Sequence, residues 1–313
     1  MTAFRFDGRT AVVTGAGGNP SLGRAHALLL ASRGANVVVN DIGHDPESYG
    51  YESRASAQAV ADEIKALGGK AVADGHSVAD PEGAGALIQT ALDAFGRIDI
   101  VVNNAAVVAV AKFDEMTVRD HQRHVQVNLL GAIWTSRAAW PHMRKQGYGR
   151  IINIGSDALA GMAKHSAYSA TKGGLFSLTR ALAAEGRPIG IKVNTVNPFA
   201  DTRMLRATQT DASAILQLAK ASLPAEKVSP LVAFLAHEDC PVTGECLSAA
   251  GGQVKRVYLC ETAGVFDQDL TIESLAQSWD KVMDESTAKV VPPGFTAQGD
   301  EEVKPYNPER ASS

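Results

Sequence analysis

The chain has 313 residues, 45% of them hydrophobic, enough to bury one large core with an appendage. Its formal net charge of −4 offers no electrostatic basis for binding nucleic acid or an anionic membrane, and no stretch approaches the ~20 uninterrupted apolar residues of a membrane span. The opening from Met1 to Gly8 lacks an apolar signal core, and Cys240, Cys246 and Cys260 are too few for a disulfide framework, so a soluble, cytoplasmic protein is expected.

A first strand at 10–14 runs into Thr14-Gly15-Ala-Gly17-Gly18-Asn-Pro20-Ser21-Leu22-Gly23-Arg24 and a helix at 22–33. Glycine lets the backbone turn sharply and approach a diphosphate, whose charge then rests on the free amides at the start of the helix. Pro20 donates no amide hydrogen, so the Ser21 hydroxyl is expected to substitute for it. The second strand, at 36–40, ends on Asp41, about 20 residues beyond the loop, where a carboxylate accepts both hydroxyls of an adenosine ribose and repels a 2′-phosphate. The expected cofactor is therefore NAD rather than NADP.

A helix at 53–67 and a strand at 70–73 follow, then Asp74-Gly-His76-Ser77-Val78 and a helix at 81–95. A strand at 98–103 ends in Asn103-Asn104-Ala105-Ala106, and a long helix at 118–145 carries Asn128. The strand at 150–154 precedes Ser156, the helix at 163–185 contains Tyr168 and Lys172, and the strand at 191–196 leads to Asn197-Pro198. A helix at 224–236 and a seventh strand near 245–248 complete the series. Strands that read as continuous apolar runs, alternating with helices, imply an α/β fold: a doubly wound, Rossmann-type parallel sheet of about seven strands with helices on both faces.

Tyr168 and Lys172 stand four apart and so share one helical face. A phenol of pKa near 10 is a poor base at neutral pH, but a cation about 4 Å away at an effective dielectric of ~20 is worth roughly 4 kcal/mol, nearly three pKa units. Lys172 is accordingly expected to lower the Tyr168 pKa towards the working range.

Beyond Gly252 the rhythm changes, so a catalytic domain at 1–252 and an extension at 253–313 are expected. In the extension 254–260 reads as extended and 271–283 as a helix with Thr271 at its N-cap, followed from about 287 by an arm or disordered tail. His237, Cys240 and Cys246 match no common zinc spacing, and no metal is expected.

Together, Thr14-Gly15 with Gly17, Gly18 and Gly23, Asn103-Asn104-Ala105, Asn128, Ser156, Tyr168 with Lys172, and Asn197-Pro198 spell an ordered set: the chain resembles the short-chain dehydrogenase/reductases over residues 7–252. Through Val38-Val-Asn-Asp41, Ala138-Ala-Trp140, Tyr148-Gly-Arg-Ile-Ile152 and Val228-Ser-Pro-Leu231 it is most similar to their (3R)-hydroxyacyl-CoA dehydrogenase branch, found in peroxisomal multifunctional enzymes of type 2. The resemblance implies Tyr168 as acid/base, Lys172 on the nicotinamide ribose, Ser156 on the substrate oxygen and Asn128 supporting a water chain to Lys172. It also implies that Gly15, Gly17, Ser21, Leu22, Gly23 and Asp41 hold the diphosphate and ribose. His76, where family members place an Asp, would lie at the adenine with Ser77 and Val78; Asn104, Ala105 and Ala106 would line the cleft, and Pro198 and Thr202 would meet the nicotinamide.

Phe199, Met204, Leu205, Ile215, Leu216, Leu218 and Leu223 give an apolar segment that in this family is a substrate lid, suiting a lipophilic secondary alcohol or ketone such as a hydroxyacyl thioester, a steroid or a terpenoid. The competing reading is a catalytically silent NAD(H)-binding regulator. Family members assemble through the helices at 118–145 and 163–185, so a homodimer or homotetramer is expected, with no nucleic-acid or membrane partner.

Overall fold

The computed structural model describes residues 4–43 and 55–294. Eight strands form the main sheet: β1 (Thr10–Val13), β2 (Asn36–Asn40), β3 (Lys70–Asp74), β4 (Ile100–Asn103), β5 (Gly149–Ile154), β6 (Ile191–Phe199), β7 (Cys246–Ala250) and β8 (Gln253–Val257), in the order β3-β2-β1-β4-β5-β6-β7-β8. The first seven are parallel, and β8 returns antiparallel to β7.

Helices α1 (Leu22–Ser32), α2 (Ala55–Ala66), α3 (Pro81–Phe95), α4 (Val118–His124), α5 (Gly131–Gln146), α6 (Ser166–Gly186), α7 (Arg203–Thr208), α8 (Ala214–Ser222) and α9 (Ser229–Ala236) connect the strands. Successive strand side chains point to opposite faces. Val13, Val39, Val102 and Ile154 therefore pack with Leu30, Ile64 and Val232 of α1, α2 and α9, while Val12, Val38, Val101 and Ile151 pack with Leu87, Ala139 and Ala183 of α3, α5 and α6. Both faces are buried, which is why these strands carry no polar alternation.

The chain winds outward from β1 to β3, then crosses to β4 on the other side of β1. Such a reversal opens a crevice at the carboxyl ends of the two central strands, the place where doubly wound sheets bind ligands. Thr14, Val78, Ala105 and Asn128 line that crevice.

Three elements of the sheet and its helices depart from the expectation. The helix expected at 118–145 is interrupted between α4 and α5 by a π-helical turn, Val125–Leu130, that contains Asn128. Hydrophobic periodicity does not register one extra residue per turn. The segment expected to start a helix at 224 opens with a 3₁₀ turn, Ala225–Lys227, before α9. Residues 253–257, expected in the extension, belong to the sheet: Gly251 (φ 55°) and Gly252 (φ 92°) make a two-residue hairpin that turns β7 into β8. Two consecutive positive φ values are what a type I′ hairpin requires, and glycine supplies them without steric cost.

The chain forms two compact units, Met1–Tyr258 and Leu259–Ser313. In the second, β9 (Cys260–Glu261) pairs antiparallel with β10 (Lys289–Val290). The helix expected at 271–283 divides there into α10 (Ile272–Gln277), with a Thr271–Ser274 capping box, and α11 (Trp279–Val282), because Ser278 leaves helical geometry at ψ 5°. The start of the helix expected at 53 and the tail beyond 294 lie outside the described residues.

Candidate active site

The glycine turn is a cradle fixed from below. Gly15 has φ +63°, and a Cβ there would stand 2.8 Å from the Ala105 Cα, so only glycine allows the loop to lie this close to the end of β4. Asn104 donates through Nδ2 to the carbonyls of Thr14 (2.8 Å) and Gly15 (3.0 Å). The Thr14 hydroxyl accepts the amides of Asn104 and Ala105, both at 2.9 Å. Asn104 and Ala105 thus shape the cleft through the loop they hold, with Ala106 following on the same stretch.

Asp41 lies beside the turn, accepting the Gly17 amide at Oδ2 and the Gly43 amide at Oδ1, each at 2.8 Å. The Ser21 hydroxyl accepts the Arg24 amide at 3.2 Å and so caps α1, whose first residues are Leu22 and Gly23. The amides ahead of Arg24 lack intrahelical acceptors by construction, and they face an anion as the positive end of the helix. Close-approach glycines, a capped helix start and a carboxylate at the end of β2 fit a dinucleotide.

At the end of β3, Asp74 is fully buried and carries four hydrogen bonds. Its Oδ1 accepts from Asn40 Nδ2 (2.8 Å) and the His76 amide (2.9 Å), its Oδ2 from the Thr90 hydroxyl (2.8 Å) and His76 Nδ1 (2.9 Å). Burial raises the pKa of this carboxyl, but the bonds from His76, Asn40 and Thr90 together hold it below its ordinary value. With Asp74 ionised, His76 Nδ1 is the donor to it, and in the neutral ring Nε2 is then the acceptor. The Ser77 hydroxyl accepts the Ala79 amide at 3.1 Å, and Val78 is buried against Gly131.

Tyr168 and Lys172 lie one turn apart on α6, with Lys172 Nζ 5.5 Å from the Tyr168 ring centroid. Nζ donates to the Ile154 carbonyl at 2.6 Å, which ties α6 to the end of β5. Two residues on, Ser156 accepts the Ala158 amide at 3.2 Å as cap of the turn Asp157–Ala160, and its side chain favours the phenolate of Tyr168. Three side chains from two elements therefore converge at one end of the sheet.

The expected lowering of the Tyr168 pKa is not present in the chain alone. Burial raises the phenol above its ordinary value, with only Ser156 working downwards, and burial pushes the Lys172 ammonium down to about 7. A lysine with that pKa is half discharged at neutral pH, and it lies over the ring face, so its pull on the phenolate is small.

The Asn128 side chain closes both of its ends on the Val107 backbone, accepting the amide at 2.8 Å and donating to the carbonyl at 2.9 Å. Its second donor contact is the Thr171 hydroxyl at 3.4 Å, next to Lys172. His124, which sequence reading passed over, meets the Tyr168 ring edge-on with centroids 6.4 Å apart. Its Nδ1 lies 2.7 Å from the Asp120 carbonyl and its Nε2 accepts the Ala109 amide at 3.1 Å, which fixes the neutral tautomer, and burial lowers its pKa.

On β6, Asn197 donates to Asp157 at 3.2 Å, and Pro198 continues the strand beside Ala249 of β7. Thr202 caps α7 by accepting the Leu205 amide at 3.2 Å. Within the expected lid, Leu216 and Ala219 of α8 are core residues, whereas Ile215 (51% exposed) and Leu218 (56%) face outward.

Comparison with known proteins adds the family. Residues 9–213 match the short chain dehydrogenase family. The chain is 41% identical over 290 residues to peroxisomal multifunctional enzyme type 2 of Mus musculus, covering 91% of this chain but only 38% of the mouse protein. It is 40% identical over 284 residues to a short-chain type dehydrogenase/reductase of Mycobacterium tuberculosis, covering 90% of this chain and 96% of that one. Among solved structures, a 7α-hydroxysteroid dehydrogenase complexed with NADH and 7-oxo glycochenodeoxycholic acid superposes with a TM-score of 0.69 at 28% identity, covering 79% of this chain and 95% of that chain.

Proposed function

The chain belongs to the short-chain dehydrogenases, nicotinamide-dependent oxidoreductases acting on CH–OH groups, and from that premise we propose that it transfers hydride between a lipophilic secondary alcohol or ketone and NAD(H), with Tyr168 as acid/base. The observation that carries the reading is the convergence of Ser156, Tyr168 and Lys172 at the end of β5, on the sheet edge that also bears the glycine cradle. The bound nicotinamide supplies the hydride acceptor or donor. In alcohol oxidation, Ser156 holds the substrate oxygen against the phenol and Tyr168 takes the hydroxyl proton; in ketone reduction, Tyr168 returns it. Lys172, fixed by the Ile154 carbonyl, holds the nicotinamide ribose and supports the phenolate in its protonated form. Asn128 keeps the 107–111 stretch and α6 in register beneath these groups.

NAD is preferred over NADP because Asp41, fixed by two backbone amides, places a negative charge where a 2′-phosphate would sit. Asp41→Ser should raise catalytic efficiency with NADPH relative to NADH by about tenfold or more; an unchanged ratio contradicts the assignment. The adenine amino group is held by His76 Nε2, an acceptor standing in for the usual carboxylate. Likeness to the mouse enzyme and to a steroid dehydrogenase favours a hydroxyacyl thioester or a hydroxysteroid, admitted beneath α7 and α8.

The chain acts as a homodimer or homotetramer through α5 and α6, where Trp140, Pro141, Leu178 and Leu182 border a groove of about 310 Å³. It works in a reducing, cytoplasmic setting, in keeping with three free thiols; among the described residues no helix is long and apolar enough to cross a membrane. The test is NADH formation against a panel of hydroxyacyl-CoAs, hydroxysteroids and cyclic alcohols. Turnover of one class supports the reading, and silence across the panel with tight NADH binding supports a regulator instead.

A further inference from the structure

The glycine turn is longer than its chemistry requires, and the added residues meet the lid. The Arg203 amide, the first of α7, donates to the Pro20 carbonyl at 3.2 Å. The same residue's side chain lies on Gly18: a Cβ built there would stand 2.6 Å from the Arg203 Cζ and 2.6 Å from its Nε. Any residue but glycine at 18 would displace the guanidinium. Both ends of Arg203 are thus seated on the phosphate loop.

The charges around the cradle are otherwise spent. Arg24, in the first turn of α1, pairs with Glu63, and Arg206, one turn along α7, makes a two-pronged bond to Asp201 at 2.8 and 2.6 Å. Arg203 makes no ion pair with any described residue. Asp41 adds a fixed negative charge beside Gly17, so a diphosphate entering the cradle meets a carboxylate as well as the half-charge of the helix end. A planar guanidinium without an ion-pair partner among the described residues answers that repulsion and matches a diphosphate's geometry.

We propose that Arg203 binds the diphosphate of the nicotinamide dinucleotide, so that the lid helix closes on the cofactor as well as over the substrate. This rests on the reading of the chain as a nicotinamide-dinucleotide enzyme. The lid helix would then be held by the cofactor whether or not substrate is bound.

The experiment measures equilibrium binding of NADH by its fluorescence, and of ADP-ribose and coenzyme A by competition, to wild type, Arg203→Ala and Arg203→Lys at one ionic strength. Arg203→Ala should weaken NADH and ADP-ribose alike by about tenfold, as expected for loss of a charge-assisted contact at a solvent-exposed site, and Arg203→Lys should recover part of it. The melting temperature without cofactor should match wild type, since the side chain is exposed. ADP-ribose affinity within twofold of wild type in Arg203→Ala overturns the proposal, and so does a loss confined to coenzyme A, which would assign the residue to substrate. Failure of wild type itself to bind NADH would be a different result, striking at the oxidoreductase reading.

Discussion

Lys172 is the residue whose surroundings most change its chemistry. Full burial moves its pKa from the ordinary 10.5 down to about 7, although the Ile154 carbonyl favours its charged form. The unfolded chain holds this proton up to about 10.5 while the folded chain releases it from about 7, so the group costs stability, fully so below pH 7 and less as pH rises through that window. Lys172→Met should therefore be more stable than wild type at pH 6.5, by an amount on the order of a few kcal/mol, and the difference should shrink towards pH 10. Cofactor-free melting curves across that range check it; a difference independent of pH would refute the buried ammonium. Asp74 tells a similar story through bonds instead of burial. Asp74→Asn turns one of the two acceptor oxygens into a donor, so the four donors around it, His76 Nδ1 included, can no longer all be accepted, and NADH binding should weaken about tenfold, with His76→Ala no worse when combined with it; additive losses in the double variant would show that the two act separately. Neither effect was legible in the sequence. The partners of Asp74 come from positions 40 and 90, and the burial of Lys172 comes from the fold as a whole.

At the scale of elements, the strand cores and α3 were legible to within a residue or two, because a β-branched run between turns and an Asp80–Pro81 helix start are local signals. The π turn was not. Val125–Leu130 has the same apolar spacing as its neighbours, and it coincides with a tertiary contact that spacing does not record: Asn128 turns inward to clamp Val107. Asn128→Ala leaves the partly buried Val107 amide and carbonyl without their side-chain partner, which should lower stability by roughly 1 kcal/mol and slow turnover, since the same turn holds α6 at Thr171. A denaturant midpoint unchanged by this substitution would show that the clamp is incidental. Extended structure at 254–260 was legible, but its place in the sheet as β8 was not: that depends on Gly251-Gly252, a pair visible in sequence but placed there as the end of a domain instead of the turn of a hairpin.

At the largest scale, the architecture follows from one geometric fact: the order of the parallel strands reverses between β1 and β4, and the motifs that follow β1, β2, β3, β4 and β5 all lie at the carboxyl ends of those strands. The order of motifs along the sequence was enough to foresee this, because each motif follows the strand that delivers it. What the sequence could not foresee is the state of the acid/base pair. In the chain alone burial raises the phenol and lowers the lysine, so the working phenolate depends on what fills the crevice. The most direct test is NADH formation by wild type and Tyr168→Phe with a responsive hydroxyacyl thioester or hydroxysteroid, alongside NADH affinity. The account predicts that the substitution lowers turnover by about a hundredfold or more while NADH affinity stays within about twofold; turnover close to wild type in Tyr168→Phe would contradict it.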